Sequence, residues 1–352
     1  VIKIKILCIT PIGNVKTPET WFAELLAKHG HEVTIVFTGY DVNKILIEQS
    51  VLSNEYDVIW GMMEYSLPTA LVYSKLLNVP VYGHVECIPP WRIDIEDNKQ
   101  WGYDYPESLI ELQHTDQYKN LYKNIMHFFE QCAAKTISGY SWRYTFKGLT
   151  GVDVDAEIRY YTYDKNATKK YEDKTLKTKK QICTISRFTP LKRVHHVIRA
   201  LSKIPEERRP AYKVIGYGDQ HTYLKKLASD LNVKVDFLGN GADGVKEKTL
   251  QESMFNVQIS SGIPVLEAGA FKKHIISYKE PHMVEVYGDM CTWVERNNTD
   301  ALAKEIDKFV SNPELCKEKG QETYDNMAKL CDNDKFVKEV EKHLERAIKN
   351  GK

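Results

Sequence analysis

Two segments in the second half of the chain carry residue types suited to gripping phosphate. Ile185-Ser186-Arg187-Phe188-Thr189-Pro190-Leu191-Lys192 runs from an apolar strand into the turn before a helix, with Arg187 and Lys192 five residues apart. Arginine offers a planar fork of donors and lysine a compact point charge, so the pair can clamp two phosphates. Downstream, Ser260-Ser261-Gly262-Ile263-Pro264-Val265-Leu266-Glu267-Ala268 ends a second strand and starts a helix at Pro264. The open N-terminus of that helix, with Ser261, Gly262, Ile263 and Pro264 at its mouth, favours an anion. Glu267, one turn in, is placed to hold a ribose diol. Cations, helix N-terminus and carboxylate together predict a pocket for a nucleotide sugar.

Other residues add to this picture. Gly216-Tyr217-Gly218-Asp219 closes a strand and opens a helix, and its glycines let a backbone approach a ligand closely. Pro11-Ile12-Gly13-Asn14 has the same place after the first strand, with Gly13 at the turn. It is not a GxGxxG sequence, and no acidic residue follows at the spacing a dinucleotide fold needs. His84 ends the run Val81-Tyr82-Gly83-His84, where it is expected to face a cleft and to position or deprotonate an acceptor hydroxyl. Glu64 holds a similar place with less chemistry to recommend it. Between Ile88 and Tyr105 the chain is irregular and aromatic, and a loop of that kind suits an acceptor lid. Asp153-Val154-Asp155 has the form of a metal-holding DxD, but it falls near a linker and not on a strand end, so no metal site is expected.

The elements that must position these residues alternate. Short apolar runs rich in Val and Ile (2–9, 32–37, 57–62, 80–85 and 135–138) are separated by helical patterns in the first half. After a Lys-rich stretch the pattern restarts, with strands at 182–186, 212–216, 234–239, 256–260, 274–278 and 291–294. Such alternation predicts parallel sheets covered on both faces. The chain of 352 residues is too long for one core. The expected division is a Rossmann-like acceptor-side domain over 1–164 and a linker over 165–181. A nucleotide-sugar donor domain over 182–331 follows, and then a helix over 332–352 that packs back on the first domain. Ligands of doubly wound α/β domains sit at strand C-termini, so the expected site is an interdomain cleft.

Bulk properties narrow the function classes. Hydrophobic content of 42% and charged content of 28% are ordinary for a globular protein. No apolar run reaches the roughly 18 residues needed to cross a bilayer, and peripheral membrane contact is not indicated. Seven scattered cysteines, none in a CxxC pair, point to a reducing, cytoplasmic setting and away from structural zinc. Residues 1–165 carry 15 Lys and Arg against 21 Asp and Glu, so the second half is the basic one. The basic second half suits a diphosphate there, and the acidic first half argues against broad adhesion to nucleic acid or anionic lipid.

Taken together, the residues resemble retaining GT-B glycosyltransferases of glycosyltransferase family 4. The resemblance spans nearly the whole chain. Gly30-His31-Glu32-Val33-Thr34-Ile35-Val36 looks like the family's helix-to-strand segment. Arg187 and Lys192 fall on its Arg-x4-Lys, which implies a grip on the donor diphosphate. Val214-Ile215-Gly216-Tyr217-Gly218 and Val235-Asp236-Phe237-Leu238-Gly239 match the next strand ends. Gly262-Ile263-Pro264-Val265-Leu266-Glu267-Ala268 matches the donor segment, whose glutamate is expected on the ribose hydroxyls. Asn298–Ala303 and Asn312–Leu315 look like its closing helices. One departure bears on activity: eight residues before Glu267, where the family's E-x7-E begins, stands Ile259. The family's Asn-Gly-Val-Asp before the linker reads Tyr161-Thr162-Tyr163-Asp164.

The resulting expectation is an enzyme, a glycosyltransferase moving a hexose-type sugar from a nucleotide-diphosphate donor to an acceptor hydroxyl. It is expected to need no metal or other cofactor, and the resemblance implies retention of configuration. UDP-sugar is slightly favoured over GDP-sugar as the commoner choice, and the acceptor is left open. Arg187, Lys192 and the helix at Pro264 would stabilise the leaving diphosphate, and domain closure would exclude water. Two rivals stand beside this reading. One is a nucleotide-sugar-binding pseudoenzyme or partner subunit on the same fold; the other is a different GT-B enzyme such as an epimerase or phosphorylase.

Overall fold

A computed structural model describes residues 3–11, 18–39, 45–85, 116–164, 166, 168–241, 244–259 and 262–351. The chain divides into two compact units. The first holds the described residues of 3–85, 116–162 and 332–351, and the second those of 163–331. Expected Gly13 and Ser261, the aromatic stretch 88–105 and the first three residues, 42–44, of a helix expected over 42–52 lie outside the described residues.

In the first unit six parallel strands run in the order β2-β1-β3-β4-β5-β6. They are β1 (Lys5–Thr10), β2 (Glu32–Phe37), β3 (Val58–Met62), β4 (Val81–Val85), β5 (Ala134–Ile137) and β6 (Glu157–Ile158). The central strands β3 and β4 are buried at every position, as strands with both faces covered must be. On one face the helices Leu67–Leu77 and Asp116–Glu130 bury Leu67, Ala70, Tyr73, Ile125 and Phe129. On the other, the helices Pro18–Lys28 and Asn333–Asn350 bring Phe22, Leu26, Phe336, Val340 and Leu344 against Trp60 and Tyr82. Asp332 starts the last helix by accepting from the Lys335 N–H. The same helix is tied to the end of the sheet through Glu157, which holds Lys342 at 2.8 Å and also pairs with Arg346.

In the second unit six parallel strands run in the order β12-β11-β10-β7-β8-β9. They are β7 (Gln181–Ile185), β8 (Ala211–Ile215), β9 (Val235–Phe237), β10 (Asn256–Val257), β11 (Ile275–Tyr278) and β12 (Cys291–Val294). Chain order reverses between β7 and β10: β8 and β9 are laid down on one side, β11 and β12 on the other. That is the switch point at which open α/β sheets leave a crevice beyond the strand C-termini. The helices Val194–Ser202 and Thr299–Val310 cover one face with Val197, Leu201, Leu302, Ile306 and Phe309. The helices Ile263–Ala270 and Pro313–Leu330 cover the other with Val265, Leu266, Ala268 and Met327. Asn298 and Asn312 cap their helices by accepting from the Ala301 and Leu315 N–H groups, and Pro313 follows at the first helical position.

Candidate active site

At the switch point the backbone ladder between β7 and β10 is a single register pair, Asn256 with Cys183. Side chains continue it. The Thr184 hydroxyl donates to the Val257 carbonyl at 2.7 Å, and the Ile185 N–H donates to the buried Gln258 amide oxygen at 3.2 Å. These two contacts replace strand pairing where the chain departs on either side. Neither Thr184 nor Gln258 carries a sequence signal for this role, because the partner lies 73 residues away.

Three strand ends meet at this edge. β7 delivers Arg187, which is exposed, and then Lys192, which is half-buried at the close of a short 3-10 turn, Pro190–Lys192. β8 delivers Gly216 and Gly218. β10 leads to Gly262 and the helix Ile263–Ala270. The β7 and β8 ends are locked together: Ser186 N–H donates to Ile215 O at 2.9 Å, Phe188 N–H to Tyr217 O at 2.9 Å and Gln220 N–H to Phe188 O at 3.1 Å. A Cβ on Gly216 would lie 1.7 Å from Ser186 O, and one on Gly218 would lie 2.5 Å from Phe188 O. The backbone that approaches these glycines is therefore that of 186–188. They set the course of the segment bearing Arg187. The exposed Tyr217 ring stands between them.

The turn after Lys192 is fixed from below. Arg193 adopts a left-handed conformation at φ 46°, is buried, and places its Nη1 3.3 Å from Glu280 Oε1. Arg296 Nε lies 3.2 Å from the same oxygen. One buried carboxylate shared by two guanidiniums keeps its charge paired, and it pins the residue next to Lys192. Beside it, His196 Nδ1 is 2.9 Å from the Tyr278 hydroxyl; burial, with the charges of Arg193 and Arg199, holds His196 down at about 3.

The helix Ile263–Ala270 starts at Gly262 with no capping side chain and with Pro264 in its first turn. A Cβ at Gly262 would lie 2.7 Å from the buried Tyr287 hydroxyl, so glycine is needed there for close packing. Glu267 is directed into the fold's edge with its side chain 12% exposed, and Lys246 Nζ donates to its Oε1 at 2.6 Å. Burial opposes the charge on Lys246, but the Glu267 and Glu247 carboxylates outweigh it and raise the ammonium pKa. Tyr163 is pushed up by burial and then by the same two carboxylates. Lys246 is not legible in the sequence, because its helix, Val245–Glu252, shows no clear apolar period. Ile259, at the position where the resembling family has a glutamate, is 1% exposed and lies within the core.

His84 belongs to the first unit and differs from expectation. It is 1% exposed, not the cleft-facing side chain that the end of a strand suggests. The reason is the period-two alternation of β4: Tyr82 and His84 share a face, and Tyr82 packs in the cluster that the helix Asn333–Asn350 covers. His84 Nδ1 lies 2.7 Å from Thr136 Oγ1 on the adjacent β5. Burial, then the charges of Arg159 and His343, hold its pKa far below the usual imidazole range. Asp153 of the DxD sequence is paired with Lys147 at 2.7 Å and Arg143 at 3.6 Å.

Residues 166–326 match the protein family Glycosyl transferases group 1. The N-acetyl-alpha-D-glucosaminyl L-malate synthase of Bacillus anthracis is 24% identical over 381 residues, covering 100% of this chain and 99% of the relative. An uncharacterized glycosyltransferase of Methanocaldococcus jannaschii is 23% identical over 345 residues, covering 86% of each chain. Among solved structures, HepE of Anabaena in complex with UDP superposes with a TM-score of 0.71 at 15% identity, over 97% of this chain and 100% of HepE. HepE was also crystallised with UDP and glucose and with UDP-glucose. The domain match and the names of the curated relatives support a transferase enzyme. The structural match shows the fold, two parallel-sheet α/β domains of the GT-B type.

Proposed function

We propose that the protein transfers a hexose-type sugar from a nucleoside diphosphate to an acceptor hydroxyl, with retention of configuration and without a metal. The observation that carries this is the convergence of three strand ends at the β7/β10 switch point, inside the matched domain. Arg187 and Lys192 would grip the diphosphate, and the uncapped helix at Gly262, Ile263 and Pro264 would face it. Their positive charge opposes the charge that develops on the leaving diphosphate, the part a divalent ion plays elsewhere. Glu267 would take the ribose hydroxyls, and Lys246 at 2.6 Å holds that carboxylate in place. Gly216 and Gly218 act by holding the Arg187 segment in position. The division of labour proposed is a donor domain over 182–331 and an acceptor-side domain over 1–164.

UDP is the favoured nucleotide, and the HepE complexes with UDP and UDP-glucose support that choice. The acceptor is an open hydroxyl compound; L-malate enters the test because one relative is named for it. His84, buried within the first unit, is given no part in the transfer. Retention is what the family resemblance implies; with the buried Ile259 offering no carboxylate nucleophile, a retaining reaction would go by front-face substitution.

The test is a thermal-shift panel of UDP, GDP, ADP and their common sugar conjugates, with and without EDTA. Hits are then assayed for nucleotide release with L-malate and simple sugars as acceptors. A ligand at 100 times its Kd should add about 2.7 kcal/mol, a readily measured rise in Tm. An EDTA-insensitive UDP-sugar hit with acceptor-dependent release is expected. Binding with no release under any acceptor would favour the pseudoenzyme reading, and no binding at all would sink the proposal.

A further inference from the structure

The helix Val245–Glu252 begins at Gly244, which is left-handed at φ 82°, with no capping side chain. Lys246 stands in its first turn, where the helix dipole favours a carboxylate such as Glu247 and disfavours a cation. The helix therefore does not explain the lysine; its partners do. Lys246 Nζ lies 2.6 Å from Glu267 Oε1 and 3.7 Å from Glu247 Oε1, and both carboxylates are largely buried. Burial opposes the ammonium charge, and the two carboxylates outweigh it.

The stem of Lys246 is placed by packing as well. A Cβ on Gly241 would lie 2.8 Å from Ile215 Cγ2, at the end of β8, and 3.5 Å from Lys246 Cβ. Leu250 of the same helix shares one buried cluster with Val265 and Leu266 of the helix that carries Glu267. The two helices are neighbours on one face of the sheet, and the Lys246–Glu267 pair joins them near their starts.

We propose that Lys246 sets the choice of pentose at this site: by fixing the Glu267 carboxylate for the ribose hydroxyls, it favours ribonucleoside diphosphates over 2′-deoxyribonucleotides such as dTDP-sugars. This rests on the reading of Glu267 as the ribose ligand. A carboxylate has about four acceptor positions. Lys246 takes one of them, which leaves enough for both hydroxyls of a ribose diol, so the pair and the diol can be held together. Tied to the ammonium, the carboxylate meets the diol in one orientation; released, it regains the rotamer freedom of a glutamate and loses that orientation. A site built to hydrogen-bond a hydroxyl rejects the analogue that lacks it, because its own polar group is then left unpaired. Lys246 is thus a positioning residue, acting through Glu267.

Isothermal titration of UDP, 2′-deoxy-UDP and UMP, on the wild type and on Lys246→Met, tests this. Methionine keeps an unbranched stem and removes the charge. The wild type should prefer UDP over 2′-deoxy-UDP by about tenfold to a hundredfold, the worth of one hydrogen bond to a charged group. Lys246→Met should lose most of that preference and keep the preference of UDP over UMP, which belongs to Arg187 and Lys192. Lys246→Arg should restore the pentose preference. General damage to the fold would lower both preferences together, and that result would overturn the positioning role. Tighter UDP binding by Lys246→Met would also overturn it, because Lys246 would then compete with ribose for Glu267. Glu267→Ala separates this inference from the assignment beneath it. If Glu267→Ala erases the pentose preference and Lys246→Met does not, Lys246 does not set it and the ribose assignment stands. If Glu267→Ala leaves the preference intact, or the wild type shows none, the ribose assignment falls and the inference with it. Should Lys246→Met fail to fold, Lys246→Gln, which keeps a donor but shortens its reach and removes its charge, carries the same comparison.

Discussion

Replacing Gly218 by alanine sets a methyl carbon 2.5 Å from the Phe188 carbonyl oxygen and 2.8 Å from the Phe188 carbonyl carbon and nitrogen. All three are backbone atoms, so no flexible side-chain tip can yield. Reaching ordinary contact requires the 186–188 segment to move by about 1 Å. That movement strains two bonds in particular, Phe188 N–H to Tyr217 O and Gln220 N–H to Phe188 O. Overpacking of this kind costs about 1–3 kcal/mol, and each weakened backbone bond about 1 kcal/mol more. The loss of chain freedom in the unfolded state offsets about 0.4–1 kcal/mol of this. The net destabilisation is therefore about 2–5 kcal/mol, visible as a lowered urea midpoint, with UDP affinity falling because Arg187 rides on the displaced segment. A glycine kept only so that a ligand can approach would behave differently: binding would fall while the midpoint stayed put. An unchanged midpoint in Gly218→Ala would refute the argument that Gly216 and Gly218 serve the Arg187 segment.

Other consequences follow from the same geometry. Arg187→Ala and Lys192→Ala should abolish nucleotide release, while Arg187→Ala, at an exposed position, changes stability by less than about 0.5 kcal/mol; full turnover in either would remove the diphosphate clamp. Glu280→Ala leaves Arg193 and Arg296 facing each other without their shared carboxylate, and urea unfolding should show a loss of about 3–5 kcal/mol. Glu267→Ala should weaken UDP binding in calorimetry, and unchanged affinity would withdraw the ribose assignment. Acid should weaken the fold through histidines buried as neutral rings. His274 and His343 are held at about 4 and His196 at about 3, in each case chiefly by burial. Their folded-state values lie below the unfolded one, so their contribution is complete above about pH 6.5 and is lost as pH falls toward 4 and 3. A Tm that stays level from pH 7 to 4 would contradict those burials.

Much of this architecture is legible in the residues. The Val- and Ile-rich runs between polar turns mark five strands of the first sheet and all six of the second, because a strand covered on both faces has to be apolar throughout. β6 gives no such signal: it is two residues long, and one of them is Glu157, which serves the last helix. The helix Val245–Glu252 is hidden for a related reason, since its Lys and Glu residues obscure the apolar period that Thr249 and Leu250 supply. Within the candidate site, Arg187, Lys192, Gly262 and Glu267 stand out because helix starts and fixed cations are local features. Their supports do not. Lys246 meets Glu267 across 21 residues, Gln258 meets Ile185 across 73, and Glu280 meets Arg193 across 87. No spacing rule announces such pairs. His84 departs from its expected place for a geometric reason: alternation tells which neighbours share a face but not which face a distant helix will cover.

The central claim is that the β7/β10 switch point binds a nucleoside diphosphate through its phosphates. Isothermal titration of UDP against UMP, on the wild type and on Arg187→Ala, tests it most directly. The account predicts that UDP binds more tightly than UMP in the presence of EDTA, and that Arg187→Ala erases most of that difference while leaving UMP affinity nearly unchanged. Equal affinities for UDP and UMP in the wild type, or a UDP preference that survives in Arg187→Ala, would contradict it.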